Sequence, residues 1–404
     1  MVHGDDAAPG SSATAPDRTA IGWGVLLTAI AWLVCREVVG ARWGPARNPF
    51  RFEPSMWARW DTFNYGAITQ YGRNFGHCDR PPFSGLPNPH HDTWCGTASW
   101  LPGWPWLIRL AQTTGISVPN GGLVLSWTAM ACALFLVWFG WGRAQHPVRA
   151  LLVMIAFGVF PGAVYNFALF PTSVALAFAV GAVLAATRER FLVAALLMTC
   201  AGLCYPSAWF AALGLAIGMV LVGCTLGIRQ VIRRALWGLA GLGSLVVLGV
   251  HDQLAFGHAD AYLLVTTGPG LDGTGYPGSG LVQLVLHRNT PEQHRIGRTA
   301  ADALAAQGVV AVATALLAAW SATWSWVKAR LTADIYPAAV GLAVVVCILI
   351  LNANGGAWNR SVVLAAPCVL CLRRLPVVLL VPLVAVSAVV TTYVSQAFFV
   401  GNLV

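Results

Sequence analysis

Residues 21–40 read IGWGVLLTAIAWLVCREVVG. One basic and one acidic group, Arg36 and Glu37, sit near the end of the stretch, and everything before them is apolar, small or neutral. As a helix this is long enough to cross a hydrocarbon core of about 30 Å. No basic region precedes it and no clean small-x-small cleavage site follows, so it reads as a retained first span rather than a removed signal. Before it, MVHGDDAAPGSSATAPDRTA (residues 1–20) is polar and rich in small residues and reads as a disordered cytoplasmic tail.

The same texture continues outward from that span. The chain has 404 residues, 57% hydrophobic and only 10% charged, whereas a soluble domain carries about a quarter charged residues. The apolar residues come in long blocks rather than in alternation. An all-α, polytopic transmembrane bundle accounts for this. The net charge is +9, from 24 basic and 15 acidic residues, and the single lysine is Lys328. A nucleic-acid binder gathers its cations on one surface. Here they punctuate the apolar blocks, at Arg143 and Arg149, Arg188 and Arg190, Arg229, Arg233 and Arg234, Lys328 and Arg330, and Arg373 and Arg374. Short basic turns face the cytoplasm, so an even number of crossings separates any two of them. That rule yields about eleven spans within residues 21–396, external loops near 40–120 and 251–303, and a C-terminal tail at 397–404. Spans three to six fall short of the ~20 residues of a full crossing and read as broken or partly buried helices. SWLPGWPWLIRL (99–110) reads as an amphipathic helix on the external face, with Trp100, Trp104 and Trp106 at the interface.

The first external loop holds the densest chemistry. Residues 56–72 read MWARWDTFNYGAITQYG. If 57–68 is one helix, Asp61 and Tyr65 are i,i+4 neighbours. A carboxylate there suits a general base at the membrane surface; pairing with Arg59 or capping a helix is the plain alternative. GHCDRPPFSGLPNPHHDTWCG (76–96) adds His77, Asp79, His90, His91 and Asp92, with Cys78 and Cys95 flanking the turn. A divalent metal fits those donor types, but their spacing matches no defined zinc motif, and no cofactor is firmly implied. Asp92 is a candidate second acidic group. A Cys78–Cys95 disulfide fits an oxidising compartment. The other cysteines, including the Cys368–Cys371 pair, read as small buried hydrophobes. Tyr165, Asn166, Tyr205 and Ser207 either line a cavity or serve helix ends. His251, Asp252, His258 and Asp260 open the second loop. Arg360 starts a late span from the external side, where it either holds a lipid phosphate or snorkels to the interface.

In this order the motifs resemble the bacterial relatives of the second mannosyltransferase of GPI-anchor synthesis, a PIG-V-like family of GT-C fold membrane glycosyltransferases. The matching segments are WARWDTFNYGAI (57–68), Leu101-Pro102-Gly103-Trp104-Pro105, FPGAVYNFALFPTS (160–173), GHADAYLLVTTG (257–268) and Trp358-Asn359-Arg360. The chain departs from the family at PTSVAL, which lacks a glutamate, at Cys204-Tyr205-Pro206-Ser207, which lacks the usual arginine, and at Ser361, which replaces an aromatic. The resemblance implies an inverting transfer of a sugar, usually mannose, from a polyprenyl-phosphate donor to a lipid-linked or otherwise membrane-associated glycan at the external face. It gives Asp61 the role of base, with Arg59, Tyr65, Asp92 and Arg360 as substrate-binding candidates. Two other readings stay open, a GT-C transferase of another sugar and a transporter of lipid or lipid-linked sugar. The lack of inverted repeats and of deep ionisable groups weighs against the transporter.

Overall fold

The computed structural model describes residues 18–48, 51–59, 61–80, 82, 93–266, 298–329, 332–351 and 358–400. The elements run α1 (Arg18–Gly40), α2 (Pro54–Trp57), α3 (Asp61–Tyr71), β1 (Phe75–His77), β2 (Trp94–Gly96), α4 (Gly103–Gln112), α5 (Val118–Val137), α6 (Pro147–Gly158), α7 (Val164–Phe167), α8 (Thr172–Thr187), α9 (Phe191–Cys204), α10 (Ser207–Cys224), α11 (Ile228–Ala240), α12 (Gly243–Phe256), α13 (Ala261–Thr266), α14 (Arg298–Ala329), α15 (Ile335–Leu351), α16 (Trp358–Ser361), a 3₁₀ helix over Val362–Arg374 and α17 (Val377–Val400). Apart from one antiparallel pair, β1–β2, the described residues are helical or irregular.

Six of these helical stretches are long and apolar enough to cross a membrane: Thr19–Gly40, Val118–Gly142, Ser207–Cys224, Ile228–Phe256, Asp302–Val327 and Val377–Val400. The protein is therefore a multi-pass cell-membrane protein. Eleven full crossings are not reached. The remaining expected spans are shorter apolar helices, Pro147–Gly158, Thr172–Thr187, Phe191–Cys204 and Ile335–Ile350, together with the 3₁₀ helix. The reason is packing. Most of α8 is buried by its neighbours, and the 3₁₀ helix is buried from Val362 to Arg373. It contacts α6, α8, α10, α14 and α15. Pro367 lies inside it and lacks the N–H that an α-helical ladder needs. Helices enclosed in this way need not span the full lipid thickness. Small residues allow the close approach, as is usual between membrane helices; a Cβ on Gly214 of α10 would come within 2.5 Å of the Ala339 carbonyl of α15.

Three further boundaries differ from expectation. The helix expected across 57–68 is broken, with α2 ending at Trp57 and α3 starting at Asp61. The seventh span, expected at 235–250, is two helices that meet at Gly241-Leu242, and α12 carries on to Phe256. The last helix runs past 396 to Val400 because Phe398 packs edge-on to Tyr165 and Phe399 onto Trp43 and Trp57.

The bundle has two chemically different ends. α10 has 18 residues, about 27 Å of helix. Tyr205 precedes its first turn, and the basic turn at Arg229 follows its last. The 3₁₀ helix likewise separates Arg360 and Ser361 from Arg373 and Arg374, which pair with the buried Asp334. The basic turns thus lie opposite the end that holds Asp61.

Candidate functional site

The first loop is seated on the bundle by aromatics and arginines. Arg36, fully buried at the end of α1, donates from Nη1 to the Ala46 carbonyl at 2.9 Å, and its guanidinium lies 4.4 Å over the Trp57 ring. Trp57 is itself fully buried and meets Trp127 and Phe399 edge-on. Next to it, Arg59 donates to the carbonyls of Ala58 at 2.7 Å and Phe399 at 3.0 Å, tying the loop to α17. Thr62 Oγ1 accepts from the Arg59 backbone N–H at 3.1 Å. These contacts fix where α3 begins, and therefore where Asp61 sits.

Asp61 occupies the first turn of α3, where the helix dipole favours a negative charge. Its carboxylate pairs with the guanidinium of Arg360, which enters from α16. The two side chains are 18% and 20% exposed, so the pair is neither sealed nor freely solvated. Four tyrosines lie within electrostatic reach: Tyr65, Tyr165, Tyr205 and Tyr262. Tyr205 Oη lies 3.4 Å from Ser361 Oγ. Burial, followed by the Asp61 charge, pushes the Tyr65 phenol well above its ordinary value. Burial does the same to Tyr262. Both stay protonated and can donate to an anion. Close by in sequence, Asn166 Oδ1 and Ser207 Oγ are buried without a partner, an arrangement that leaves polar groups available to a ligand.

The other end of α3 forms a second charged cluster. Arg73 pairs with the fully buried Asp252 of α12 and donates to the Ala98 carbonyl. His251 Nδ1 lies 3.0 Å from both Arg73 Nη1 and Asp252 Oδ1. A cavity of about 150 Å³ opens there, with Arg73, Trp106, Arg109 and His251 in its wall. Arg109 donates to the Ile68 and Thr69 carbonyls at 2.9 and 2.8 Å and so closes the C-terminus of α3. Gly103 of α4 lies so close to α9 that a Cβ would come 2.6 Å from the Leu203 carbonyl. That contact holds α4 beside Tyr205.

The disulfide Cys78–Cys95 is present and closes the β1–β2 pair. Trp94 stacks on Phe75 at 4.5 Å and on His77 at 4.0 Å, and His258 approaches it at 4.8 Å. His77 is thus engaged in an aromatic stack. Among the described residues no group of three or more His, Cys, Asp or Glu side chains converges.

The fold therefore brings together Asp61, Tyr65 and Arg360 from the sequence-derived set, and adds Tyr165 and Tyr205 from the two polar turns. Arg59 points its donors into backbone carbonyls of α17 and its own turn rather than at Asp61. Asp92, with His90 and His91, lies outside the described residues. Trp104, expected at the interface, is buried, because the first turn of α4 packs into the core; Trp106 is the exposed member. Sequence reasoning missed Tyr262, Ser361 and Arg73. Tyr262 lies inside a quoted motif, GHADAYLLVTTG, so an aromatic in that segment was the available signal.

No family model and no curated protein sequence matches the chain. Among solved structures it is similar to the apo form of the Archaeoglobus fulgidus oligosaccharyltransferase, with a TM-score of 0.51 at 11% identity. The likeness covers 94% of this chain and 56% of that one, so this chain corresponds to a little over half of the oligosaccharyltransferase's length. At that identity the likeness is one of fold: an all-α, multi-span membrane bundle of GT-C type. The narrower PIG-V-like resemblance rests on its motif residues alone.

Proposed function

We propose that the protein is a membrane glycosyltransferase that moves a sugar from a polyprenyl-phosphate donor to a membrane-associated glycan acceptor, with inversion, at the external face. The observation that carries this reading is the Asp61–Arg360 pair, about a fifth exposed, with the buried Tyr65, Tyr165 and Tyr205 within its electrostatic reach, on a fold of GT-C type. Mannose is the donor sugar that the PIG-V-like motifs favour.

The chemistry follows from the pair. The donor phosphate competes with Asp61 for the Arg360 guanidinium, which binds phosphate through paired N–H donors. Released from Arg360, the Asp61 carboxylate takes the proton of the acceptor hydroxyl. The acceptor oxygen forms a bond to the anomeric carbon from the face opposite the phosphate. The bond between that carbon and the phosphate oxygen breaks, and its electron pair leaves on the polyprenyl phosphate. That group gains one negative charge, which Arg360 and the protonated phenol of Tyr65 stabilise. One base and one good leaving group complete the reaction, so no second acid is required.

The test is transfer of radiolabelled sugar from a panel of polyprenyl-phosphate donors by purified protein in lipid. Asp61→Asn keeps size and hydrogen bonding but cannot accept the proton. Transfer should fall by about 10²–10⁴-fold, the usual contribution of a general base, with donor binding retained. Unchanged turnover removes Asp61 from the mechanism.

A further inference from the structure

At the opposite end of the bundle, α11 carries a feature that the transfer reaction does not use. Gly227, at φ +98°, turns the chain out of α10 and starts the helix IRQVIRRALWGLA. Ile228, Ile232, Leu236 and Leu239 recur at spacings of four, four and three, and each is more than half exposed. They form a lipid-facing row. Beside that row, at the same spacing, come Arg229, Arg233, Trp237 and Ala240. Residues from the two rows form a shallow, open groove along this one helix, of about 510 Å³.

The groove is graded along the helix axis. It begins with two cations flanking Ile232, passes Leu236 and the Trp237 indole and ends at Ala240. From Arg229 to Ala240 the helix rises about 16 Å, close to half of a ~30 Å hydrocarbon core, and the helix then breaks at Gly241. The gradient therefore runs from the headgroup level into the near part of one leaflet.

Of the three arginines here, Arg234 is the one held by polar side chains among the described residues. Arg234 is buried and donates to Glu189 Oε1 and Tyr336 Oη, each at 2.6 Å. Arg229 and Arg233 pair with no carboxylate among the described residues. The Arg233 guanidinium rests 5.5 Å over the Phe191 ring, a contact that leaves its N–H donors available. Two like charges at i,i+4 repel each other unless an anion lies between them.

We infer that this groove binds one anionic glycerophospholipid of the leaflet at the basic end of the bundle. Arg229 and Arg233 hold its phosphate, Leu236 and Trp237 lie at the ester level, and the acyl chains begin beside Leu239 and Ala240. Indoles favour that depth, and each interfacial arginine contributes about 1 kcal/mol toward an anionic surface.

Native mass spectrometry of the full chain, released from nanodiscs of equal phosphatidylglycerol and phosphatidylcholine, tests the site. Wild-type protein should retain one phosphatidylglycerol with a preference of about 30-fold, the equivalent of two such arginines. R229Q/R233Q should bring the preference near unity, and R149Q, on another turn, should leave it unchanged. Equal retention of the two lipids by wild type would overturn the assignment, since snorkelling arginines need no particular headgroup. So would an undiminished preference in R229Q/R233Q, or a preference abolished by millimolar inorganic phosphate, which would mark a small-anion site. Should the double variant fail to fold, the wild-type preference and the single R229Q variant decide the matter.

Discussion

Arg360 and Asp61 form an ion pair across 299 residues of sequence, and each side chain keeps about a fifth of its surface exposed. The pair joins the first turn of α3 to the short helix that precedes the buried 3₁₀ segment. A fully buried pair is costly to open, because both charges lose solvent. A fully exposed one contributes little. The intermediate case suits a pair that an incoming phosphate can open.

If Arg360 holds the donor phosphate, its replacement should act first on donor affinity. Arg360→Gln should raise the donor KM by about 10- to 100-fold, the scale of a lost hydrogen bond to a charged group. Arg360→Lys should recover part of that loss, because it restores the charge but not the bidentate fork. Steady-state transfer assays over a range of donor concentration measure both. A donor KM unchanged in Arg360→Gln would mean that the arginine serves Asp61 alone.

Tyr65 permits a sharper test. Its phenol is held well above the ordinary value by burial and by the Asp61 charge, so the hydroxyl stays protonated and able to donate. Tyr65→Phe retains the packing and removes only the hydroxyl. Turnover should fall by about tenfold, the equivalent of one modest hydrogen bond, and the shape of the pH–rate profile should not move. A shifted profile would show that the tyrosine takes part in proton transfer.

The members of this site were legible in the sequence one at a time, and their meeting was not. Asp61 and Tyr65 stand out through i,i+4 spacing in an aromatic-rich loop, and Arg360 through its place at the start of a late span. Nothing in the pattern of either segment sets the distance between them, because that contact depends on how α16 and the 3₁₀ helix pack against α14 and α15. Arg73 escaped notice for the same reason, and Asp252, noted at the opening of the second loop, had no visible partner. Each looks like an ordinary polar residue near a helix end, and only the fold buries them together. The span count failed differently. Spans three to six were legible as short, partly buried helices, and α6, α8 and α9 are so, while α10 is long enough to cross. The short Ile335–Ile350 helix and the enclosed 3₁₀ helix were expected as full spans, because hydropathy does not tell a lipid-facing apolar helix from an enclosed one.

The Cys78–Cys95 bridge should stabilise the loop without touching the chemistry. It closes a separation of 17 residues, which is worth about 3 kcal/mol in the chain-entropy account. Cys78→Ser/Cys95→Ser should raise proteolytic cleavage between β1 and β2 while leaving transfer within about threefold of wild type, since the aromatic stack of Phe75, His77 and Trp94 remains. Mass mapping of protease-treated membranes, with and without reductant, provides the readout. Equal cleavage in the bridged and unbridged proteins would show that the stack alone holds the hairpin.

The face of the membrane on which the site opens can be labelled directly. The basic turns lie at one end of α10 and the Asp61 site at the other, so the positive-inside rule places Asp61 outside. Two engineered cysteines can report this, one at Asp260, whose side chain is 60% exposed at the site end, and one at Gln230 in the basic turn. The exposed native thiols of Cys132, Cys200 and Cys224 are first replaced by serine. A membrane-impermeant maleimide applied to intact cells should label Asp260→Cys, and should reach Gln230→Cys only after permeabilisation. The same outcome requires that the sugar donor be supplied at the outer leaflet. Labelling in the reverse order would place the Asp61 site on the cytoplasmic side and overturn the proposed side of reaction, while leaving the Asp61–Arg360 chemistry to be judged by its own variants.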